Sequence, residues 1–237
     1  MTDLANDKRS VIAKALARRR QLAHSDFVRF GAKVTQSLEA LADQSARLRD
    51  WDDALAALEE LVAVTRDLAA ADPKTFLVPL SARLLRLSTA LYQAGNFAGA
   101  IASAREAADR YRRISADRPD AVGDSLIVAL KHLSCGLAVT GDAAAALAVM
   151  REAVAEHRKR NASLRRSDPC SLAWSVGLLG MRLRLAGDIE GARAATAEAI
   201  ALLHAARGAG LAADGPAPET VLAYLCREYD NLIGERT

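Results

Sequence analysis

The chain has 237 residues and a formal net charge of +3, and 51% of its residues are hydrophobic although only 4% are aromatic. Alanine contributes 52 residues, and because alanine is the best helix former, we expect long, closely packed helices. The near balance of 32 basic and 29 acidic residues argues against a general polyanion binder, so nucleic acid is not an expected partner. The longest run without charged side chains, the 18 residues from Leu87 to Ala104, is shorter than the ~20 residues of a membrane-spanning helix.

The cysteine pattern and the N-terminal sequence indicate the cellular location expected for the protein. Cys135, Cys170 and Cys226 are scattered and form no CxxC pair, which favours reduced thiols. No apolar signal core precedes the first predicted helix. These features predict a cytoplasmic protein without membrane contact.

In chain order, the first predicted element is an N-terminal helix from about Lys8 to Leu22, which with a lead-in fills residues 1–34. A repeat then begins. Gly95, Gly141 and Gly187 are spaced by 46 residues, and each is followed by a residue that can cap a new helix. One further step back reaches Asp50, so the capping positions are Asp50, Asn96, Asp142 and Asp188.

Other positions keep the same 46-residue register. Leucine precedes every turn at Leu41, Leu87, Leu133 and Leu179, and alanine follows it at Ala54, Ala100, Ala146 and Ala192. Glutamate recurs at Glu60, Glu106, Glu152 and Glu198. Spacings of three, four and seven within each unit are typical of one helix face. Residues 35–206 are therefore predicted to form four helix hairpins, each an A helix followed by a B helix, that must stack to bury their apolar faces.

Two elements are predicted after the repeats. Residues 207–218 contain the one clear loop, and residues 219–237 are predicted to contain a C-terminal helix that closes the stack as a lone A helix. This organisation predicts an all-α chain of about ten antiparallel helices, forming a single domain over residues 1–237.

The repeat resembles the tetratricopeptide repeat, abbreviated TPR. The second unit carries the matching pattern of large, small and turn residues at Leu84, Leu87, Ser88, Leu91, Gly95, Ala100, Ala104 and Ala107. The usual TPR period is ~34 residues, so a 46-residue period indicates longer helices, as in long-helix variants common in bacterial regulatory proteins. Prolines at Pro73 and Pro119 suggest where each B helix gives way to the next A helix. The resemblance implies an αα-superhelix, that is, a TPR-like solenoid.

The resemblance also implies a binding site on the concave face, which the A helices line. Carrying those positions over places eight polar or aromatic residues there: Gln36, Glu39, Asp43, Tyr92, Gln93, Lys131, Trp174 and Arg184. The set runs from acidic in the first unit to basic and apolar in the fourth. Trp174 fits equally well as a groove residue and as part of the core between helices.

No catalytic, cofactor or metal motif accompanies the repeat. The four histidines are far apart, and no nucleophile motif or phosphate-binding loop is present, so we predict no enzyme, no cofactor and no metal site. The glutamates are expected to pair with nearby arginines such as Arg105 or Arg151. Arg66, Arg112 and Arg158 lie near the predicted ends of B helices, where a helix dipole favours cations. The basic runs at residues 18–20 and 157–166 are expected to be solvated faces.

The predicted function is a protein–protein or protein–peptide interaction module, an adaptor or scaffold. The alternative is a regulatory sensor that responds to a ligand or peptide, and an enzyme on a helical scaffold is a third possibility. The expected partner is a protein or peptide, and homo-oligomers remain open.

Overall fold

The computed structural model describes residues 9–17, 20–21, 27–118, 121–122, 124–163 and 169–208. Residues 9–17 and 20–21 are helical and agree with the predicted N-terminal helix. Eight further helices follow in the described chain: α1 (Phe27–Arg47), α2 (Trp51–Ala71), α3 (Pro73–Gln93), α4 (Phe97–Asp117), α5 (Ser125–Val139), α6 (Ala143–Ser163), α7 (Pro169–Leu185) and α8 (Ile189–Gly208). The described chain is all-α, as predicted, and none of its helices is long and apolar enough to cross a membrane.

The helices form four A/B hairpins, with α1, α3, α5 and α7 as A helices and α2, α4, α6 and α8 as B helices. The first hairpin begins at Phe27, inside the predicted lead-in. The predicted C-terminal helix, most of the loop before it, and Cys226 lie outside the described residues.

Each hairpin turns through the same backbone arrangement. Gly95, Gly141 and Gly187 have φ angles of 79°, 85° and 82°, and Arg49 takes the equivalent position at 59°. The residue that follows this positive-φ position donates its backbone N–H to a carbonyl of helix A. Its side chain accepts a hydrogen bond from a backbone N–H at the start of helix B. Asn96, for example, donates to the Leu91 carbonyl at 2.8 Å and accepts from the Gly99 N–H at 3.0 Å. The predicted caps at Asp50, Asp142 and Asp188 accept in the same way.

Long helices meet with almost no linker where the prolines predicted a boundary. Asp72 closes α2 and also caps α3 through the Thr75 N–H, and Pro73 is the first residue of α3. Proline fits the first helical turn because its missing N–H is not needed there. Helices α2 and α3 are therefore each 21 residues long. Pro119 lies outside the described residues.

The chain divides into two compact units, residues 1–125 and 126–237. In the first unit α1 packs on α2, α2 on α3 and α3 on α4. In the second unit α6 packs on α7 and α7 on α8, and Ser134 of α5 bonds to α6. The sequence-based expectation of one domain stays a prediction.

Small residues let the paired helices approach closely. The alanine column of the B helices is at most 2% exposed at Ala54, Ala100, Ala146 and Ala192. The most deeply buried A-helix column lies three residues before the predicted leucines, at Leu38, Leu84, Leu130 and Val176, each at most 2% exposed. Leu41 and Leu179 are only half-buried. The core is thus a leucine layer closed by alanine.

In the second hairpin, and again in the third, a buried hydrogen bond joins helix A to helix B. Ser88 of α3 donates to the Ala100 carbonyl at 2.8 Å, and Ser134 of α5 donates to the Ala146 carbonyl at 2.9 Å. The fourth hairpin has Gly180 at this register position, and Thr196 of α8 itself donates to the Ala192 carbonyl at 2.8 Å. A Cβ at position 180 would lie 2.8 Å from the Thr196 hydroxyl oxygen. The glycine therefore makes room for the threonine.

Because Gly180 replaces the serine and Thr196 bonds to the carbonyl instead, we predict that substitutions at these two positions compensate each other. Gly180→Ser is expected to lower the free energy of unfolding by about 1–3 kcal/mol, because the new side chain collides with Thr196. Adding Thr196→Ala is expected to recover most of the loss, because the new hydroxyl can then bond to the Ala192 carbonyl. Urea unfolding of the two single variants and the double variant measures both effects. Purely additive losses would contradict this account.

Arg49 predicts a stabilising substitution. A non-glycine residue in the left-handed region costs about 1–2 kcal/mol, whereas glycine costs about 0.5–1 kcal/mol in unfolded-state entropy. Arg49→Gly is therefore expected to stabilise the first unit by about 0.5–1 kcal/mol in thermal unfolding. Asn96→Gly is the matched control, because it removes a cap without relieving a positive φ and should destabilise.

Candidate functional site

The A-helix face of the first unit contains Glu39 and Asp43 from the predicted site, and both are held in ion pairs. Arg83 Nε lies 3.0 Å from Glu39 Oε1, and Arg83 Nη1 donates to the Thr65 hydroxyl at 2.7 Å. Arg86 pairs with Asp43 at the surface. The acidic character expected for this end of the face is therefore compensated by two arginines of the next A helix, which the sequence analysis did not include.

The remaining predicted residues of this face are uncharged. Gln36 and Gln93 are exposed, and Tyr92 is half-buried. The Tyr92 ring meets Phe97 edge to face, with the ring centroids 5.3 Å apart. The first-unit face is thus polar, locally neutral, and bordered by one fixed aromatic ring.

The A-helix face of the second unit is cationic and apolar. Lys131 and Trp174 are half-buried and Arg184 is exposed, while α5 and α7 contain no Asp or Glu at all. Arg182 is buried, at 7% exposure. Its guanidinium donates to the Ser134 hydroxyl at 3.0 Å and to the Cys135 sulfur at 3.1 Å.

Contacts between neighbouring A helices within each unit join residues 43 to 48 positions apart. The contacts from Glu39 and Asp43 to Arg83 and Arg86 span 44 and 43 residues, and those of Arg182 span 48 and 47. The offset differs by about one helical turn between the first unit and the second. The structure places Lys131 on α5 and Trp174 on α7, the next A helix.

The B helices carry a different set of ion pairs, each spanning 40 residues. Arg66 lies 3.0 Å from Glu106 and Arg158 lies 2.7 Å from Glu198, while Arg20 pairs with Glu60. The arginines were predicted to interact with helix dipoles, and Arg105 was predicted as a glutamate partner. The interaction with helix dipoles stays a prediction, whereas the partners of Glu106 are Arg66 and Arg110 rather than Arg105. A long arginine reaches forward to the next B helix, so the partner lies 40 residues away rather than in the adjacent position.

Two arginines contact Glu106. Partial burial would raise the pKa of Glu106, but hydrogen bonds from Arg110 and Arg66 outweigh that cost and hold the pKa below its ordinary value of 4.5. Arg110 lies one helical turn further along α4, 2.8 Å from the carboxylate. Glu106 therefore links α2 to α4, and Glu198 links α6 to α8.

The basic run at residues 157–166 was expected to be a solvated face, and Arg158 and Lys159 are exposed as expected. His157 is only 3% exposed, and its Nδ1 lies 2.9 Å from the Ser175 hydroxyl oxygen. Arg158 pairs with Glu198. In the other basic run Arg20 pairs with Glu60, while residues 18–19 and 164–166 lie outside the described chain.

The described residues include no group of three or more His, Cys, Asp or Glu side chains that could hold a metal ion. His132 follows Lys131 directly on α5. Burial lowers the pKa of His132 below its ordinary value of 6.5, and the charge of Lys131 lowers the pKa further. His132 is therefore neutral at neutral pH and adds no charge to the second-unit face.

No protein-family profile and no curated protein matches the sequence. Solved structures do resemble it. A Podosopora anserina protein described as a kinesin light chain with nearly identical TPR-like repeats has a TM-score of 0.58 at 18% identity, covering 84% of this chain and 91% of that chain. A single-residue variant of that protein has a TM-score of 0.54 at the same identity and coverage. BtubC from P. vanneervenii has a TM-score of 0.50 at 16% identity, covering 86% of this chain and 92% of that chain.

The lowered pKa of Glu106 predicts a pH dependence. Because the pKa is lower in the folded state, the ionised carboxylate stabilises the fold above about pH 4.5, and this stabilisation is lost as the pH falls through the folded-state pKa. Glu106→Gln is expected to cost up to about 1 kcal/mol at pH 7, as for other exposed ion pairs, and less at pH 3. Urea unfolding at the two pH values measures the change.

Glu198→Gln is the matched control, because Glu198 occupies the same column and pairs with Arg158. We expect a smaller loss of stability there than at Glu106, which has two arginine partners. Equal stability losses for Glu106→Gln at pH 7 and pH 3 would contradict the assignment.

Proposed function

We propose that this chain, which has the TPR-like fold, is a protein-interaction module that binds a peptide segment of another protein on the concave face lined by its A helices. The residues proposed to contact the partner are those predicted from the sequence: Gln36, Glu39, Asp43, Tyr92, Gln93, Lys131, Trp174 and Arg184. The proposal includes a role without catalysis and a cytoplasmic location, in keeping with Cys135 and Cys170, which form no disulfide within the described chain.

The half-buried position of Trp174 is the observation that carries this proposal. The described core consists mainly of leucine and alanine, and Trp174 is not part of its buried set. Tryptophan and arginine are the residue types that most often dominate binding energy at interfaces. A half-buried tryptophan, with Arg184 further along the same helix and Lys131 on the preceding A helix, has the composition of an interface hot spot.

The charges of the two A-helix faces indicate the chemistry of the peptide. The first-unit face has its carboxylates compensated by Arg83 and Arg86, so it suits uncharged polar side chains. The second-unit face has cations and no acidic residue on its A helices. A peptide with acidic and apolar side chains at the end that meets Trp174 would complement this surface.

A binding experiment can use the two tryptophans of the chain. Peptides are selected from a displayed random library on the full chain, and binding is then measured with the Trp51→Phe variant, in which Trp174 is the remaining tryptophan. A selected peptide is expected to shift the Trp174 emission. Trp174→Ala combined with Arg184→Ala is expected to weaken binding by about tenfold or more, as for truncated hot spots.

Matched controls come from the same residue types elsewhere. Trp51 is 36% exposed at the start of a B helix, and Arg151 is exposed on α6. Trp51→Ala combined with Arg151→Ala should leave peptide affinity unchanged. Peptides that bind equally well to the Trp174 and Arg184 variant, or a library that yields no binder, would count against the A-helix face as the site.

A further inference from the structure

The outer surface of the first unit contains two stripes of opposite charge at equivalent register positions. The basic stripe runs along α4 through Ala98, Ile101, Ala102, Arg105, Asp109 and Arg113. The acidic stripe runs along α2, one period earlier, through Asp52, Leu55, Ala56, Glu59, Ala63 and Asp67. Each stripe follows one helix face at spacings of three and four residues. The arginines at 105 and 113 therefore correspond to Glu59 and Asp67.

These four charges are not used within the fold. Glu59, Asp67, Arg105 and Arg113 are all exposed, and none of them takes part in an ion pair within the described chain. Their neighbours behave differently, since Glu106 pairs with Arg66 and Arg110 while Asp109 pairs with Arg112. Because the neighbouring charges are paired within the fold, Arg105 and Arg113 remain as uncompensated cations on the basic stripe. Glu59 and Asp67 remain as uncompensated anions at the matching positions of the acidic stripe.

The basic stripe also borders a shallow groove of about 500 Å³ along α4. Ala98, Ile101 and Ala102 form its apolar part. Its polar part consists of Arg105 and Arg113, the Glu106–Arg110 pair, and Asp109, which pairs with Arg112. A groove with this lining suits a helix that combines small or aliphatic residues with acidic ones. The acidic stripe of α2 has that composition, with Leu55 and Ala56 preceding Glu59.

We propose that this outer surface binds a second copy of the same chain, with the acidic stripe of each copy lying against the basic stripe of the other. Such a patch is self-complementary, as the two-fold symmetry of most homodimers requires. The surface is separate from the A-helix face and the proposed peptide site, so the dimer would leave that face available.

The charge pattern fixes the direction of the two-fold axis. A two-fold axis that runs across the helices would place the acidic stripe of one copy against the acidic stripe of the other, and the basic stripe against the basic stripe. An axis parallel to the helices places α2 against α4 of the second copy, running in the same direction. Glu59 then faces Arg105 of the second copy, and Asp67 faces Arg113 of the second copy.

The spacing along the helices supports this arrangement. Glu59 and Asp67 are separated by eight residues, as are Arg105 and Arg113, which corresponds to about 12 Å along each helix. Both cross-pairs can therefore form at once. Alanines at Ala56, Ala63, Ala98 and Ala102 permit close approach of the helices, towards the lower end of the usual 8–10 Å.

The test measures the mass of the full chain by sedimentation equilibrium at low and high salt. The wild-type chain is expected to form a dimer at low ionic strength that dissociates as salt screens the charges. The R105E/R113E variant has two acidic stripes, and the E59R/D67R variant has two basic stripes. Each variant alone is expected to weaken dimerisation more than about tenfold through like-charge repulsion. An equimolar mixture of the two is expected to restore a dimer.

Restoration in the mixture separates this proposal from a loss of folding, and circular dichroism of each variant checks its helix content. Arg151→Glu is the matched control: Arg151 is exposed and forms no ion pair in the described chain, but it lies on α6. That substitution should leave the dimer unchanged. A wild-type chain that is monomeric at low salt, or a dimer that survives in either stripe variant, would overturn the proposal.

Discussion

The structure depends on a backbone reversal that occurs once in every 46 residues. A residue with positive φ ends helix A, and the side chain that follows it caps helix B. This reversal puts the two helices of a hairpin antiparallel and sets their axial register, because the chain has no freedom left in the turn. The leucine layer and the alanine column can then meet. Without this fixed register, the leucines of helix A would not face the alanines of helix B, and the hairpin would lose its core.

Much of the fold is readable from the sequence because its determinants are local and repeated. A glycine followed by Asp or Asn predicts the turn, and alanine at Ala100 and Ala146 predicts close helix contact. Both signals recur at one period, which makes them visible without an alignment. The long helices follow from the same reasoning, since Pro73 marks a boundary that the structure confirms.

The surfaces are less readable because they depend on contacts between successive repeats, which do not follow the 46-residue period. Long side chains lean along the stack, so ion pairs span 40 residues on the B helices and 43 or 44 on the A helices. Arg83 and Arg86 thereby compensate the two acids predicted to define one end of the face. The sequence contains these arginines, but the offset that pairs them with Glu39 and Asp43 depends on how one hairpin inclines over the next.

The fourth hairpin also differs from the second and third in how its helices are held together. In the second and third hairpins a serine hydroxyl on helix A is bonded to a carbonyl of helix B, which acts as a polar latch between the two. In the fourth hairpin Thr196 satisfies that carbonyl from within its own helix. At this position α7 and α8 are held by van der Waals contact alone. Sliding or rotation of one helix against the other breaks no hydrogen bond there, so this hairpin can adjust its geometry where the two before it cannot.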